Sequence, residues 1–265
     1  MLVLIRGAGD IASGIALRLY RAGLSVVMTD LERPTAIRRT VCFSQAILLG
    51  QVTVEDVTAR AASLPQVEAI LATGEIPVLA DPQCRCREAL RPDVLVDAIL
   101  AKKNLGTSIT DAPAVIAVGP GFTAGVDCHA VVETMRGHTL GRVIWDGPAL
   151  PNTNIPGLIG GFAGERVLRA PCDGVFRQVL DIGAQVQAGD IAGYVEDQPV
   201  TCTISGVLRG ILPSGVTVFR GMKSGDVDPR CQPDFCRLAS DKALAVGGGV
   251  LEAILQKTGV LKYGR

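Results

Sequence analysis

The chain has 265 residues, 48% of them hydrophobic, and its 26 basic and 26 acidic side chains cancel to a net charge of zero. That length supports one large or two ordinary domains with proper cores, and the balance leaves no basic footprint for nucleic acid or an anionic membrane. No apolar run approaches the roughly 18 residues of a membrane span, and the first strand begins at once, so the sequence predicts a cytoplasmic protein.

Leu2 to Ile5 form an apolar run that leads into Gly7-Ala8-Gly9-Asp10-Ile11-Ala12, the pattern of a strand ending in a glycine-rich turn that opens a helix. Gly7 suits the tight bend, Gly9 a close backbone approach to a pyrophosphate, and Ala12 close helix packing, with Asp10 at the helix start. The free N–H groups of that helix would face the phosphates. An amphipathic stretch from Ile11 to Arg21 and a second strand over Leu24 to Thr29 follow, ending at Asp30. That acid lies near the twenty-residue spacing from Gly7 at which a carboxylate holds a ribose hydroxyl. Arg33, Arg38 and Arg39 suit a 2′-phosphate equally well, so NAD and NADP both stay open.

Helices are expected near Val54 to Ala62 and Pro65 to Thr73, and strands at Ile76 to Ala80, Val94 to Asp97 and Ala114 to Val118. The last of these runs into a loop from Gly119 through Gly121 to Gly125. Loops leaving the carboxyl ends of parallel strands share one edge, where ligands bind. By that rule the Gly7 turn, Asp81, Asp97 and the Gly119 loop surround one cleft.

Asp127 to Gly147 is patterned as a hairpin at a sheet edge, and strand alternation puts His129 and Glu133 on one face. His129 with Glu133 is a candidate acid/base pair, Lys102 a candidate proton donor, and Arg136 a candidate anion ligand. Cys128 falls on the opposite face.

Eight cysteines are scattered through a chain too apolar to need disulfide staples, so reduced thiols are expected. Cys84-Arg85-Cys86 and the Cys231, Cys236 pair lack the repeated spacing of a metal site, and no metal is expected.

Beyond about residue 165 the chain repeats itself. A shift of 32 residues lays Gly174-Val175 and Arg177 on Gly206-Val207 and Arg209, and Leu180, Gly183, Val186, Gly189 and Gly193 on Leu212, Gly215, Val218, Gly221 and Gly225. Two copies of one β-motif predict a small barrel or sandwich. The pattern resembles the biotinyl/lipoyl attachment domain. Tyr194 to Val200, which joins the copies, has no lysine to carry a cofactor. Ser240 to Gln256 is read as helix, either interrupted at Gly247-Gly248-Gly249 or packed closely there, returning to the first domain.

The expected fold is thus α/β: a Rossmann-like, mostly parallel sheet domain over residues 1–165, a biotinyl/lipoyl-like barrel-sandwich over 166–230, and a helical segment over 231–265.

Several phrases together carry a wider resemblance: Arg6-Gly7 with Gly9-Asp10, Arg33 to Arg39, Leu95 to Asn104, Gly119 to Phe122, Glu133 to His138, Asp226 to Arg230, and Ser240 to Ala243. The chain resembles the selenium-dependent molybdenum hydroxylase system proteins of the YqeB family over nearly its whole length. The resemblance implies a maturation role toward a molybdenum hydroxylase as partner, and a molybdopterin cytosine dinucleotide as an alternative to NAD(P) in the cleft. Two other classes stay open: an NAD(P)-dependent oxidoreductase with His129 or Lys102 as proton donor, and a non-enzymatic scaffold. A homo-oligomer is compatible with the sequence.

Overall fold

The computed structural model describes residues 1–153 and 155–260. They fall into two compact units: the first takes Met1–Pro34, Cys42–Asn152 and the chain from Ala239, and the second takes Thr35–Val41 and Thr153–Leu238. The short 35–41 segment therefore groups with the second unit, although it lies far from it in sequence.

The first unit opens with β1 (Leu2–Arg6), α1 (Asp10–Arg21) and β2 (Ser25–Asp30). It continues through α2 (Gln45–Leu49), β3 (Gln51–Val54), β4 (Val57–Ala61), α3 (Val67–Ala72), β5 (Ile76–Ala80), α4 (Arg87–Leu90) and β6 (Val94–Asp97). After these come β7 (Ala114–Val118), β8 (Thr123–Ala124), β9 (Ala130–Val132), β10 (Val143–Ile144) and β11 (Gly147–Pro148), and the C-terminal α5 (Asp241–Thr258) completes the unit. Nine strands form one sheet in the order β10-β9-β7-β6-β1-β2-β5-β4-β3. The pairs from β9 to β4 are parallel, and the two edge pairs, β10 with β9 and β3 with β4, are antiparallel. β8 and β11 pair separately.

Six of the parallel strands, β9-β7-β6-β1-β2-β5, follow the doubly wound order. The sheet departs from the expected Rossmann-like domain in the β3–β4 hairpin, which lies between β2 and β5 in sequence and extends the sheet beyond β5. Between β6 and β7, and between β7 and β9, the crossovers carry no helix. α5 packs against α1 and β7 instead, so a helix from the end of the chain covers that part of the sheet.

The helix expected over Val54 to Ala62 is the hairpin of β3 and β4, turning at Glu55 with φ +56°. Val54, Val57 and Ala59 are buried, and a pair such as Val57 and Ala59, two apart with Thr58 between them less buried, is strand spacing rather than helical spacing. The hairpin expected over Asp127 to Gly147 is formed by β9 and β10, antiparallel to each other at the sheet edge, with β9 joining the sheet parallel to β7.

α5 is continuous through its three glycines. Two of them are required by close approach: a Cβ on Gly247 would lie 2.9 Å from Gly14 O, and one on Gly249 would meet the Gly141 carbonyl. Gly14 answers from α1, where a Cβ would lie 2.5 Å from Ala243 Cβ. Contacts of residue 14 with 243 and 247, and of 18 with 244 and 247, place the two helices side by side in the same direction.

The second unit contains β12 (Val167–Arg169), β13 (Gly174–Gln178), β14 (Gln185–Val186), β15 (Ile191–Val195), β16 (Gln198–Thr201), β17 (Gly206–Ile211), β18 (Thr217–Val218) and β19 (Lys223–Asp228). The 32-residue repeat maps β13, β14 and β15 onto β17, β18 and β19, and each copy lends its short middle strand to the other: β14 pairs with β17 and β18 with β13. Where a small barrel or sandwich is expected, the unit has two four-stranded antiparallel sheets, β12-β19-β17-β14 and β16-β15-β13-β18. The two-residue strands β14 and β18 end their ladders, so no continuous set of hydrogen bonds closes the unit. Phe176, Leu208, Ile211 and Val227 are fully buried in its core. The 35–41 segment joins it through Ile211 N–H donating to Ile37 O at 2.9 Å and Arg39 Nε donating to Ile211 O at 2.9 Å.

Candidate functional site

Parallel pairing carries the carboxyl ends of β1, β2, β5, β6, β7 and β9 to one edge of the first unit. The strand order reverses between β2 and β6 on either side of β1, the place where an open sheet leaves a crevice.

The glycine turn at this edge is filled from within. Gly7 N–H donates to Thr29 O at 2.8 Å, and Ala8 N–H donates to Asp30 Oδ2 at 2.8 Å. The second Asp30 oxygen accepts Leu31 N–H at 2.7 Å. Burial holds the Asp30 carboxyl above its usual range, against these two hydrogen bonds. Gly7, at φ +106°, is demanded by Ala98: a Cβ there would lie 2.9 Å from the Ala98 carbonyl. Gly9 caps α1 and has open space on its Cβ side, and Ala12 is buried in the first turn.

These contacts correct the role expected of Asp30 in a dinucleotide-binding maturation factor: the carboxylate meant for a ribose is spent on the Ala8 and Leu31 amides. Arg38 and Arg39, candidates for a 2′-phosphate, are engaged in the second unit: Arg38 donates to the carbonyls of Phe235 and Leu238, and Arg39 to Ile211 O and Gln178.

Asp97 is 1% exposed and faces inward. It accepts from Thr107 Oγ1 at 2.6 Å, Ile99 N–H at 3.2 Å and Arg6 Nη1 at 3.4 Å. Arg6 also donates to Thr107 Oγ1 and to the carbonyls of Pro82 and Leu105, which pins the loop after β6. Gly119 and Gly121 serve packing: added Cβ atoms would lie 2.8 Å from Thr134 Oγ1 and 2.5 Å from Lys103 N.

His129 and Glu133 stand at opposite ends of β9, about 13 Å apart along a strand. His129 Nδ1 accepts Val115 N–H at 3.0 Å, and burial followed by the nearby Lys257 lowers its pKa. Glu133 is 2% exposed, and its carboxylate accepts N–H groups from Thr134, Met135 and Leu150 at 2.6, 2.7 and 2.8 Å. These three contacts order the turn after β9.

Around Glu133 a charged group does assemble. Lys242, in the first turn of α5, is half-buried; burial lowers its pKa first, then Arg136, and Lys102 also lowers it, while Asp10 and Glu133 oppose the shift. Lys102, in the left-handed region at φ +63°, is exposed on the loop after β6. Arg136 is paired with Asp241 at 2.8 Å. Of the residues expected from the sequence, Asp10, Lys102, Glu133 and Arg136 are thus brought together, and His129 is not. Lys242 is the residue that sequence reasoning missed. Its signal was a cation in the first turn of a helix, where the dipole is unfavourable to positive charge.

The Escherichia coli protein described as "Uncharacterized protein YqeB" is 51% identical to this chain over 255 residues, which is 96% of the chain and 47% of that relative. This chain is a homologue of YqeB. It spans about half the length of that relative. No family model matches the chain.

Among solved structures, an aspartoacylase family protein of Mesorhizobium loti covers 85% of the chain at 11% identity and a TM-score of 0.26, and spans 83% of that structure. A succinylglutamate desuccinylase of Silicibacter covers 85% at 13% identity and a TM-score of 0.25, spanning 84% of that structure. A likeness at this level assigns neither fold nor activity. The matched structures are desuccinylase and aspartoacylase chains, and they lend no support to a Rossmann-plus-barrel fold, to nucleotide binding or to molybdenum hydroxylase maturation.

Among the described residues no cluster of three or more His, Cys, Asp or Glu side chains is arranged to hold a metal ion. No helix of the described residues is long and apolar enough to cross a membrane.

Proposed function

We propose that the first unit binds a small molecule through a carboxylate or phosphate group at the sheet edge where α1 and α5 begin. The observation that carries this reading is Lys242: a half-buried ammonium with no hydrogen-bond partner among the described residues, set beside Lys102 and Arg136. A half-buried ammonium without a hydrogen-bond partner is costly, even with Arg136 paired to Asp241 and Lys102 exposed. An anion would relieve that cost.

Two helix N-termini add to the attraction, since α1 and α5 start side by side and each carries a partial positive charge at its start. Asp10 and Glu133 set the limit, because they make the site mixed in sign and favour a compact anion over a polyanion. Gly9 leaves the approach open.

Isothermal titration with orthophosphate, pyrophosphate and succinate tests the reading. Binding of at least one at millimolar concentration is expected, weakened about tenfold or more by Lys242→Ala and by Arg136→Ala, the scale of a lost charge-assisted contact. Absence of binding by all three, or binding indifferent to both substitutions, overturns it.

A further inference from the structure

The edge of a sheet offers a row of unpaired N–H and C=O groups to any other strand, and soluble proteins blunt such edges with short strands, bulges, proline or charge. Among the described residues, every sheet edge but one is blunted in this way. β8, β10, β11, β14 and β18 have two residues each. β12 has three, and its register shifts between Leu168 and Arg169. β16 carries Pro199. The exception is β3, which ends the nine-stranded sheet with four residues, Gln51-Val52-Thr53-Val54, in unbroken register with β4. It holds no proline and no charged side chain.

The phase of the β3–β4 hairpin fixes what this edge presents. Ala61 N–H donates to Gly50 O at 2.8 Å, so the bonded pairs of the antiparallel ladder are Gly50 with Ala61, Val52 with Ala59 and Val54 with Val57. Gln51 and Thr53 fall on the alternate pairs, where side chains lie closest across the ladder, and Thr53 Oγ1 is 2.9 Å from Thr58 Oγ1. The main-chain N–H and C=O groups of Gln51 and Thr53 therefore point away from β4. Both residues are exposed, and Leu48 and Leu49, at the end of α2 just before the strand, are 47% and 69% exposed. The charges around the hairpin are taken up within the chain, Arg21 by Glu55 and Asp56 and Arg60 by Glu75.

Two outward residues on either side of one inward residue make this edge complementary to itself. When an identical strand runs antiparallel about an axis through Val52, Gln51 of each copy faces Thr53 of the other. Each of these two pairs exchanges two main-chain hydrogen bonds, and neutral side chains meet neutral side chains. We propose that the β3 edge is a homodimer interface, in which a second copy of this chain pairs its β3 antiparallel with this one and joins the two nine-stranded sheets. The contact is isologous, so it consumes the edge and closes at two copies. Burial of Leu48 and Leu49 beside it adds apolar area.

The test is sedimentation equilibrium of the whole chain through the micromolar range, beside two edge variants. Thr53→Pro removes an outward N–H and spares the donors that β3 gives to β4. Gln51→Lys combined with Thr53→Lys sets like charges opposite each other across the axis. The expected result is a wild-type dimer whose dissociation constant rises about tenfold or more in both variants. A further variant, Val52→Cys, brings two thiols face to face on the axis, at a pair whose Cα atoms lie about 4.5 Å apart, within reach of a disulfide. Mild oxidation is expected to join position 52 of one copy to position 52 of the other, as mapped by mass spectrometry. A wild-type monomer throughout the range, which leaves the edge to a different polypeptide, overturns the proposal. So does a dimer indifferent to the edge variants, or one that forms no link through position 52. The lysine variant changes exposed side chains alone, so the test stands even if Thr53→Pro fails to fold.

Discussion

Asp30 Oδ2 accepts the backbone N–H of Ala8 at 2.8 Å, so the carboxylate at the end of β2 closes the glycine turn at the end of β1. Ala8 is fully buried, and that N–H has no water to turn to if the acceptor is removed. Asp30→Ala is therefore expected to cost about 1–3 kcal/mol, the desolvation penalty of a buried unpaired donor. Urea unfolding checks this. An unchanged midpoint would mean that the carboxylate does not support the turn.

The glycines of the α1–α5 contact give predictions of opposite sign. Gly14→Ala drives a methyl group to 2.5 Å from Ala243 Cβ, and such overpacking typically costs 1–3 kcal/mol. A Cβ at Gly248 meets nothing within 4 Å, so Gly248→Ala is expected to stabilise by up to about 1 kcal/mol through helix propensity. Thermal melting of the two variants should move in opposite directions.

In the second unit Asp226 is 1% exposed and accepts from Arg166 Nη1 at 2.8 Å and Arg209 Nε at 2.9 Å. Asp228 takes Arg209 and Arg230. Asp226→Ala leaves two buried guanidinium groups short of a counter-charge, a change that costs about 3–5 kcal/mol. Chemical denaturation followed by the fluorescence of Tyr194, in β15, reads this directly.

Lys242 makes the proposed anion site sensitive to pH. Burial and its cationic neighbours lower its pKa in the folded state below the usual 10.5. Between that lowered value and 10.5 the unfolded chain binds more protons than the folded one, so the Lys242 contribution to stability increases as pH rises through this window. A bound anion raises the lysine pKa. Titration in buffers of different ionisation enthalpy is expected to show proton uptake on binding, and Lys242→Ala to abolish it.

Local patterning was legible where it had local causes. The apolar runs at β1, β2, β5, β6 and β7 were visible, because a strand buried on both faces must be apolar throughout. The 32-residue repeat was visible because each copy places its glycines at the same turns. The sequence also placed the Gly7 turn, Asp81, Asp97 and the Gly119 loop at one edge, since parallel strands deliver their following loops to the same side.

Tertiary structure decided the rest. The glycine turn has the same letters whether its amides hold a phosphate or the carboxylate of Asp30, and only the approach of β2 to β1 chooses between them. The order in which β5 inserts beside β2 depends on pairings between segments distant in the chain, on which residue spacing is silent. Lys242 joins Lys102 and Arg136 only because Gly14 and Gly247 let two helices remote in sequence lie against each other, a contact set by the absence of side chains rather than by any motif.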